Sequence, residues 1–234
     1  MKMSKTLNKD NVRVFEHVKI SQNLEHFQKS RISEAFKKCQ NSKSIFEVGI
    51  LGGSFNPIHS NHIKIIRIIL NKNLADEAWL VPCKKHAFDK ELASVKDRLA
   101  MIKLAIKGIK RARVCRIELK CQGKNYTIDT IRKLKARHKK YKFFLVIGSD
   151  ILHEIKKWHN YRQLLRETEF IVLKRDGYRI KKVEGMRIKA IIGKGDSKIS
   201  STKIREKIKD GRSIKSLVPK SVEKFIKERG LYKK

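Results

Sequence analysis

Short runs of consecutive apolar residues, each of strand length, recur along this chain, and between them lie longer stretches where apolar residues return every three or four positions. The runs predict strands near residues 46–51, 77–82, 112–118, 142–147, 169–174 and 187–192. The periodic stretches predict helices near 60–72, 94–109, 127–138, 150–156, 161–166, 201–210 and 219–229. Phe143-Phe144-Leu145-Val146-Ile147 is apolar at every position, so it reads as a central strand buried on both faces rather than one with a wet side. Strands alternating with amphipathic helices predict an α/β domain, a parallel sheet covered by helices. Residues 1–44 stand apart. There Val12, Phe15, Val18, Leu24, Phe27, Ile32 and Phe36 suggest one or two amphipathic helices, giving an expected helical extension at 1–44 before a single domain at 45–234.

Composition sharpens this in two ways. Hydrophobic residues make up 40% of the 234, enough for a real core although 35% are charged. The net charge of +35 raises the possibility of a nucleic-acid partner, because Lys and Arg neutralise phosphates. The charge is not clustered, however: residues 1–44 carry a net +6 and the remaining 190 residues a net +29, which are similar densities. A solvated Lys-rich surface that steers anions inward is therefore the expectation, with nucleic-acid binding as the alternative. Cys39, Cys83, Cys115 and Cys121 show no metal or redox spacing and read as free thiols in a reducing compartment. Met1 to Asn11 is polar and no apolar run reaches membrane-spanning length, so a cytoplasmic location without membrane contact is expected.

The chemistry concentrates at strand exits. Gly52-Gly53-Ser54-Phe55-Asn56-Pro57-Ile58-His59-Ser60-Asn61-His62 follows the first strand and opens the first helix of the domain. Glycine lets the backbone approach a ligand, and a helix N-terminus attracts anions. His59 and His62, three apart, share one face of the first turn and can donate to one phosphate. Asn125-Tyr126-Thr127-Ile128-Asp129-Thr130 opens another helix, with Thr127 or Asn125 as its cap. Gly148 and Asp150 end the central strand, where ligands bind in open α/β sheets, and a carboxylate there can accept strong charge-assisted hydrogen bonds. Ile199-Ser200-Ser201-Thr202-Lys203-Ile204-Arg205 opens a late helix. Ser200 or Ser201 can cap it, and Arg205 can reach phosphates with a planar fork of donors.

The first of these segments resembles the signature that nucleotidyltransferases share with class I aminoacyl-tRNA synthetases, and its fuller form resembles the nicotinate mononucleotide adenylyltransferases. Asn61 departs from the glycine usual in that family. The Y-T-I-D-T, G-x-D and I-S-S-T-x-I-R elements, together with Leu217-Val218-Pro219 and Tyr232, are similar to the same family in the same order, so the resemblance covers about residues 45–234. It implies a Rossmann-like nucleotidyltransferase domain that joins ATP and nicotinate mononucleotide into deamido-NAD and pyrophosphate. His59, His62 and Arg205 would be catalytic. ATP would meet Gly52, Gly53, Ser54, Phe55, His59, His62, Gly148, Asp150, Ser200, Ser201, Thr202 and Arg205. The pyridine mononucleotide would meet Asn125, Tyr126, Thr127 and Trp158, with the backbone at Tyr126 and Thr127 receiving the nicotinate carboxylate and Trp158 stacking on the ring. Lys90 and Arg98, in and after a loop similar to the family's variable substrate loop, are further candidates for substrate phosphate or carboxylate. No carboxylate cage is visible, so magnesium is expected to arrive on ATP. The alternatives are nicotinamide mononucleotide or another phosphorylated acceptor such as phosphopantetheine, and an RNA-binding protein on the same scaffold.

Overall fold

The computed structural model describes residues 45–84, 92–121, 123–193 and 199–233; the expected extension at 1–44 and Lys90 lie outside them. Six strands form one sheet: β1 (Phe46–Gly53), β2 (Glu77–Pro82), β3 (Ala112–Val114), β4 (Tyr141–Gly148), β5 (Glu169–Leu173) and β6 (Arg187–Ile192). Their spatial order is β3-β2-β1-β4-β5-β6, and every pairing is parallel. Among the described residues there are seven α-helices: α1 (Ser60–Asn71), α2 (Val95–Ile106), α3 (Thr127–Arg137), α4 (Ile151–Glu154), α5 (Tyr161–Glu167), α6 (Ser201–Lys209) and α7 (Lys220–Glu228). This is the Rossmann-like arrangement expected from the alternation of elements.

Successive strand residues point to opposite faces, and the core divides accordingly. Phe144, Val146, Leu51, Ile171 and Leu173 pack with α1, α2, α6 and α7 on one face. Phe143, Leu145, Ile147, Val48, Ile50, Phe170 and Val172 pack with α3, α4 and α5 on the other. The continuously apolar run in β4 is thus buried on both sides, as its pattern predicts.

Two elements differ from expectation. The third strand was expected to reach residue 118 but ends at Val114. Cys115 still donates its N–H to the Leu80 carbonyl, but the next rung needs an N–H from Pro82, which has none. A 3₁₀ turn, Glu118–Lys120, follows soon after. The helix expected at 150–156 breaks into α4 and a second 3₁₀ turn, Ile155–Lys157, which brings Trp158 out in extended conformation.

The strand order reverses between β1 and β4. In open parallel sheets the crevice at the carboxyl ends of such a pair is where ligands sit. Here that crevice is walled by Gly52-Gly53 on one side and Gly148-Ser149-Asp150 on the other. No helix among the described residues is long and apolar enough to cross a membrane.

Candidate active site

The turn after β1 is held rather than loose. A Cβ on Gly52 would meet nothing within 4 Å, so the backbone there is open to a ligand. Phe55 sits in the left-handed region (φ 48), a conformation that a bulky residue keeps only when its surroundings impose it. They do: Phe55 is 1% exposed within the core, and its ring meets His62 edge-on at 5.0 Å. The expected contact of Phe55 with ATP is therefore corrected, since it forms the floor beneath His62 and has no open surface to offer.

His59 is the N-cap of α1, in extended conformation, and His62 lies in the first turn. The His59 N–H donates to Nδ1 of His62 at 3.2 Å. An Nδ1 that accepts leaves the proton of a neutral imidazole on Nε2, which makes Nε2–H the donor available to a ligand. The two rings stack at 3.7 Å, and Nδ1 of His59 is buried without a hydrogen-bond partner among the described residues. Burial, and then the nearby Arg175 guanidinium, lower the His59 pKa from 6.5 to about 4. Burial, His59 and Arg175, in that order, hold His62 well below the ordinary value. Both imidazoles are thus neutral donors in the ligand-free protein, and an anionic phosphate would shift them back toward protonation.

This arrangement has a consequence for stability. Below pH 6.5 the unfolded chain takes up a proton that folded His59 refuses until about pH 4, so stability is lost as pH falls through that window. Relative to the parent, a His59→Asn variant is expected to show a shallower loss, by roughly 2 kcal/mol at about pH 5, in denaturant titrations. Identical pH slopes for the two proteins would contradict the assignment.

Across the crevice, Asp150 is ion-paired with Arg175, with Oδ1 3.1 Å from Nε. The pair lies over Gly148: a Cβ there would stand 2.1 Å from the Asp150 carboxylate and 2.3 Å from Arg175 Nε. Buried Ser149 fastens the loop that carries Arg175, donating its hydroxyl to the Tyr178 carbonyl (3.0 Å) and accepting the Arg175 N–H (2.9 Å). Arg175 belongs to no sequence motif. The signal that could have found it is positional, because it lies just past the carboxyl end of β5, beside β4.

Helix α6 brings the late motif to the early one. Ser200 is its N-cap and accepts the Lys203 N–H, while Ser201 donates to the Pro57 carbonyl at 2.9 Å. Arg205 donates from Nη1 to the Asn56 carbonyl at 2.9 Å and from Nη2 toward the Thr202 hydroxyl at 3.5 Å. Segments some 145 residues apart in sequence therefore meet at one turn, where Ser201 and the half-buried Arg205 bond to the carbonyls of Pro57 and Asn56, just ahead of His59.

The start of α3 carries the residues expected to meet the acceptor. Neither Thr127 nor Asn125 caps this helix. Tyr126 occupies the N-cap position with no side-chain cap bond, and Asn125 instead donates to the Glu118 carbonyl at 3.0 Å. The first backbone donors of α3 are thereby not taken by a capping side chain, which suits capture of an anion. The Tyr126 ring stacks on His159 at 4.0 Å, beside the half-buried Trp158. His159 was not singled out from sequence.

Arg98 is corrected outright. It is 1% exposed, and its guanidinium donates to the carbonyls of Ala93 (3.1 Å), Ser54 (2.8 Å), Cys83 (2.9 Å) and Lys84 (3.4 Å). Its donors are committed to backbone, so it staples the exits of β1 and β2 together instead of binding substrate.

Comparison with known proteins bears on this geometry. The Cytidylyltransferase-like family matches residues 50–207, which contain both histidines and Arg205. A probable nicotinate-nucleotide adenylyltransferase from Halalkalibacterium halodurans is 39% identical over 189 residues, covering 80% of this chain and 91% of the relative. One from Bacillus pumilus is 35% identical over 188 residues, covering 80% and 98%. This chain belongs to the nicotinate-nucleotide adenylyltransferase family. Solved structures agree on the adenylyltransferase fold. A Plasmodium falciparum nicotinic acid mononucleotide adenylyltransferase complexed with NaAD matches with a TM-score of 0.70 at 24% identity, covering 80% of this chain and 97% of that one. The same Plasmodium enzyme complexed with APC gives a TM-score of 0.69 at 23% identity, with the same coverage.

Proposed function

We propose that this protein transfers the adenylyl group of ATP to nicotinate mononucleotide, releasing pyrophosphate and forming deamido-NAD. The observation that carries the reading is the convergence of Ser201 and Arg205 on the turn that leads into His59 and His62, at the sheet's switch point, together with relatives of this activity over 80% of the chain. In the reaction a non-bridging oxygen of the acceptor 5′-phosphate forms a bond to the α-phosphorus. The bond from that phosphorus to the β-phosphate oxygen breaks, and its electron pair leaves on pyrophosphate. The nucleophile is already ionised, so no general base is needed and the protein contributes alignment and charge stabilisation.

In this proposal the Nε2–H groups of His59 and His62 donate to the α-phosphate as negative charge builds there. Thr202, Arg205 and the N-terminus of α6 hold the leaving phosphates, and Asp150 takes the ribose hydroxyls. Its salt partner Arg175 then stands close enough to phosphate to add a cation, a role supported by its electrostatic effect on both histidines. Gly52 and Gly53 allow close approach along the backbone, with Ser54 beside them. The acceptor lies against Tyr126, Thr127 and Trp158, where aromatic faces favour a cationic pyridinium by about 0.5–2 kcal/mol. Magnesium enters on the phosphates of ATP, which is the usual manner for this ion. We place the enzyme in the cytoplasm, a reading that unpaired Cys83, Cys115 and Cys121 support.

Offering nicotinate and nicotinamide mononucleotides together, with ATP and magnesium, tests the acceptor. Deamido-NAD is expected as the main product. Predominant formation of NAD would overturn the nicotinate reading while leaving adenylyl transfer intact.

A further inference from the structure

The C-terminal tail makes a contact with the phosphate turn that the reaction, as derived, does not use. Tyr232 donates its hydroxyl to Oδ1 of Asn56 at 2.8 Å. Asn56 is 1% exposed, and the same oxygen also accepts the Ala93 N–H at 3.0 Å. The backbone carbonyl of Asn56 is the acceptor that orients Arg205, and the next carbonyl, Pro57, receives Ser201. Two residues further on is His59. Tyr232 itself is held in the left-handed region (φ 66), after Gly230 at φ 58, so the chain adopts a costly backbone conformation to deliver this ring. Burial raises the pKa of the phenol, which therefore remains a donor at neutral pH. Residues 216 and 217 grip the other end of the turn: Ser60 donates its N–H to the Leu217 carbonyl and its hydroxyl to the Ser216 carbonyl, both at 2.9 Å.

We propose that Tyr232 is a positioning residue for ATP, a latch that acts through Asn56 to fix the turn on which Arg205 and the two histidines are aligned. The inference rests on the reading that ATP phosphates occupy this turn. With Phe at 232 the ring keeps its packing, but Asn56 Oδ1 loses the hydroxyl that donates to it while keeping the Ala93 N–H. The Asn56 side chain is then held less tightly, and so is the carbonyl that aims Arg205. The proposed acceptor residues lie on another segment, at the start of α3 and at 158–159, where Tyr126 stacks on His159.

The test compares Tyr232→Phe with the parent, below the onset of unfolding of either protein. Calorimetric titration with a non-hydrolysable ATP analogue is run beside steady-state kinetics. The latch predicts an analogue Kd and an ATP KM about threefold to tenfold higher, the range one hydrogen bond carries, with the acceptor KM changed by less than about twofold. Unchanged analogue affinity would overturn it, and so would equal weakening of both substrates, the mark of a general loosening. If the parent binds the analogue but does not convert nicotinate mononucleotide, the functional reading falls while the titration still decides the latch. If the parent turns over normally and Tyr232→Phe binds the analogue as the parent does, the latch alone falls.

Discussion

Replacing His62 with alanine is expected to lower kcat for pyrophosphate release by about a hundredfold to a thousandfold, the usual cost of removing one preorganised donor to a transition state. The size follows from how the ring is set. Its Nδ1 is committed to the His59 N–H, its face stacks on His59 and its edge rests on Phe55, so Nε2–H is fixed in direction before substrate arrives. Alanine removes that donor and also frees the His59 backbone N–H at the helix N-cap. Because the group is neutral in the free protein, its absence leaves no buried charge uncompensated, and the thermal midpoint should move far less than the rate. A His62→Ala protein with near-parental turnover would remove the histidine from the mechanism.

The second large effect is on stability, at Arg98. Arg98→Met is expected to lower the free energy of unfolding by about 3–5 kcal/mol, since each buried carbonyl left without its donor costs about 1–3 kcal/mol and several lose theirs together. Methionine fills much of the volume but abandons the carbonyls of Ser54, Cys83 and Ala93, acceptors that are costly to leave unmet where water is excluded. Arg98→Lys should rescue little, because a single ammonium on a flexible stem cannot span acceptors arranged around a planar fork. A fall in Tm of about 10 °C is the expected readout for a domain of this size. A Tm within a degree or two of the parent would show that the staple is dispensable.

Arg98 also shows where sequence reasoning stops. An arginine one turn into an amphipathic helix, beside an apparent substrate loop, looks the same whether its guanidinium faces solvent or is swallowed by strand exits. Only the three-dimensional approach of β1 and β2 decides it. Phe55 misled for a related reason: it lies within a ligand-binding signature, but the signature includes the residue that supports the binders. Arg175 went unseen because its importance comes from strand order, and the sequence does not state that β5 lies next to β4. What was legible had short-range causes. Burial of β4 on both faces follows from an unbroken apolar run, and His59 and His62 share a turn because of helix geometry. The early end of β3 was legible in principle, since Pro82 stands in the neighbouring strand, but using it required knowing that the two strands pair.

The convergence of the first and last motifs is the main thing the fold adds. Arg205 to Asn56, Ser201 to Pro57 and Tyr232 to Asn56 bring separated motifs onto a single turn, the phosphate cradle of the proposed reaction, whose proposed acceptor wall is Tyr126, Trp158 and His159. On this account the cradle sets the rate of transfer and the wall sets the choice of acceptor.

The central claim is tested most directly by incubating the purified protein with ATP, magnesium and nicotinate mononucleotide and quantifying both products by chromatography and mass spectrometry. Deamido-NAD and pyrophosphate formed in equal amounts, dependent on both substrates, is the predicted result. ATP consumption without deamido-NAD, or no consumption at all, would contradict it.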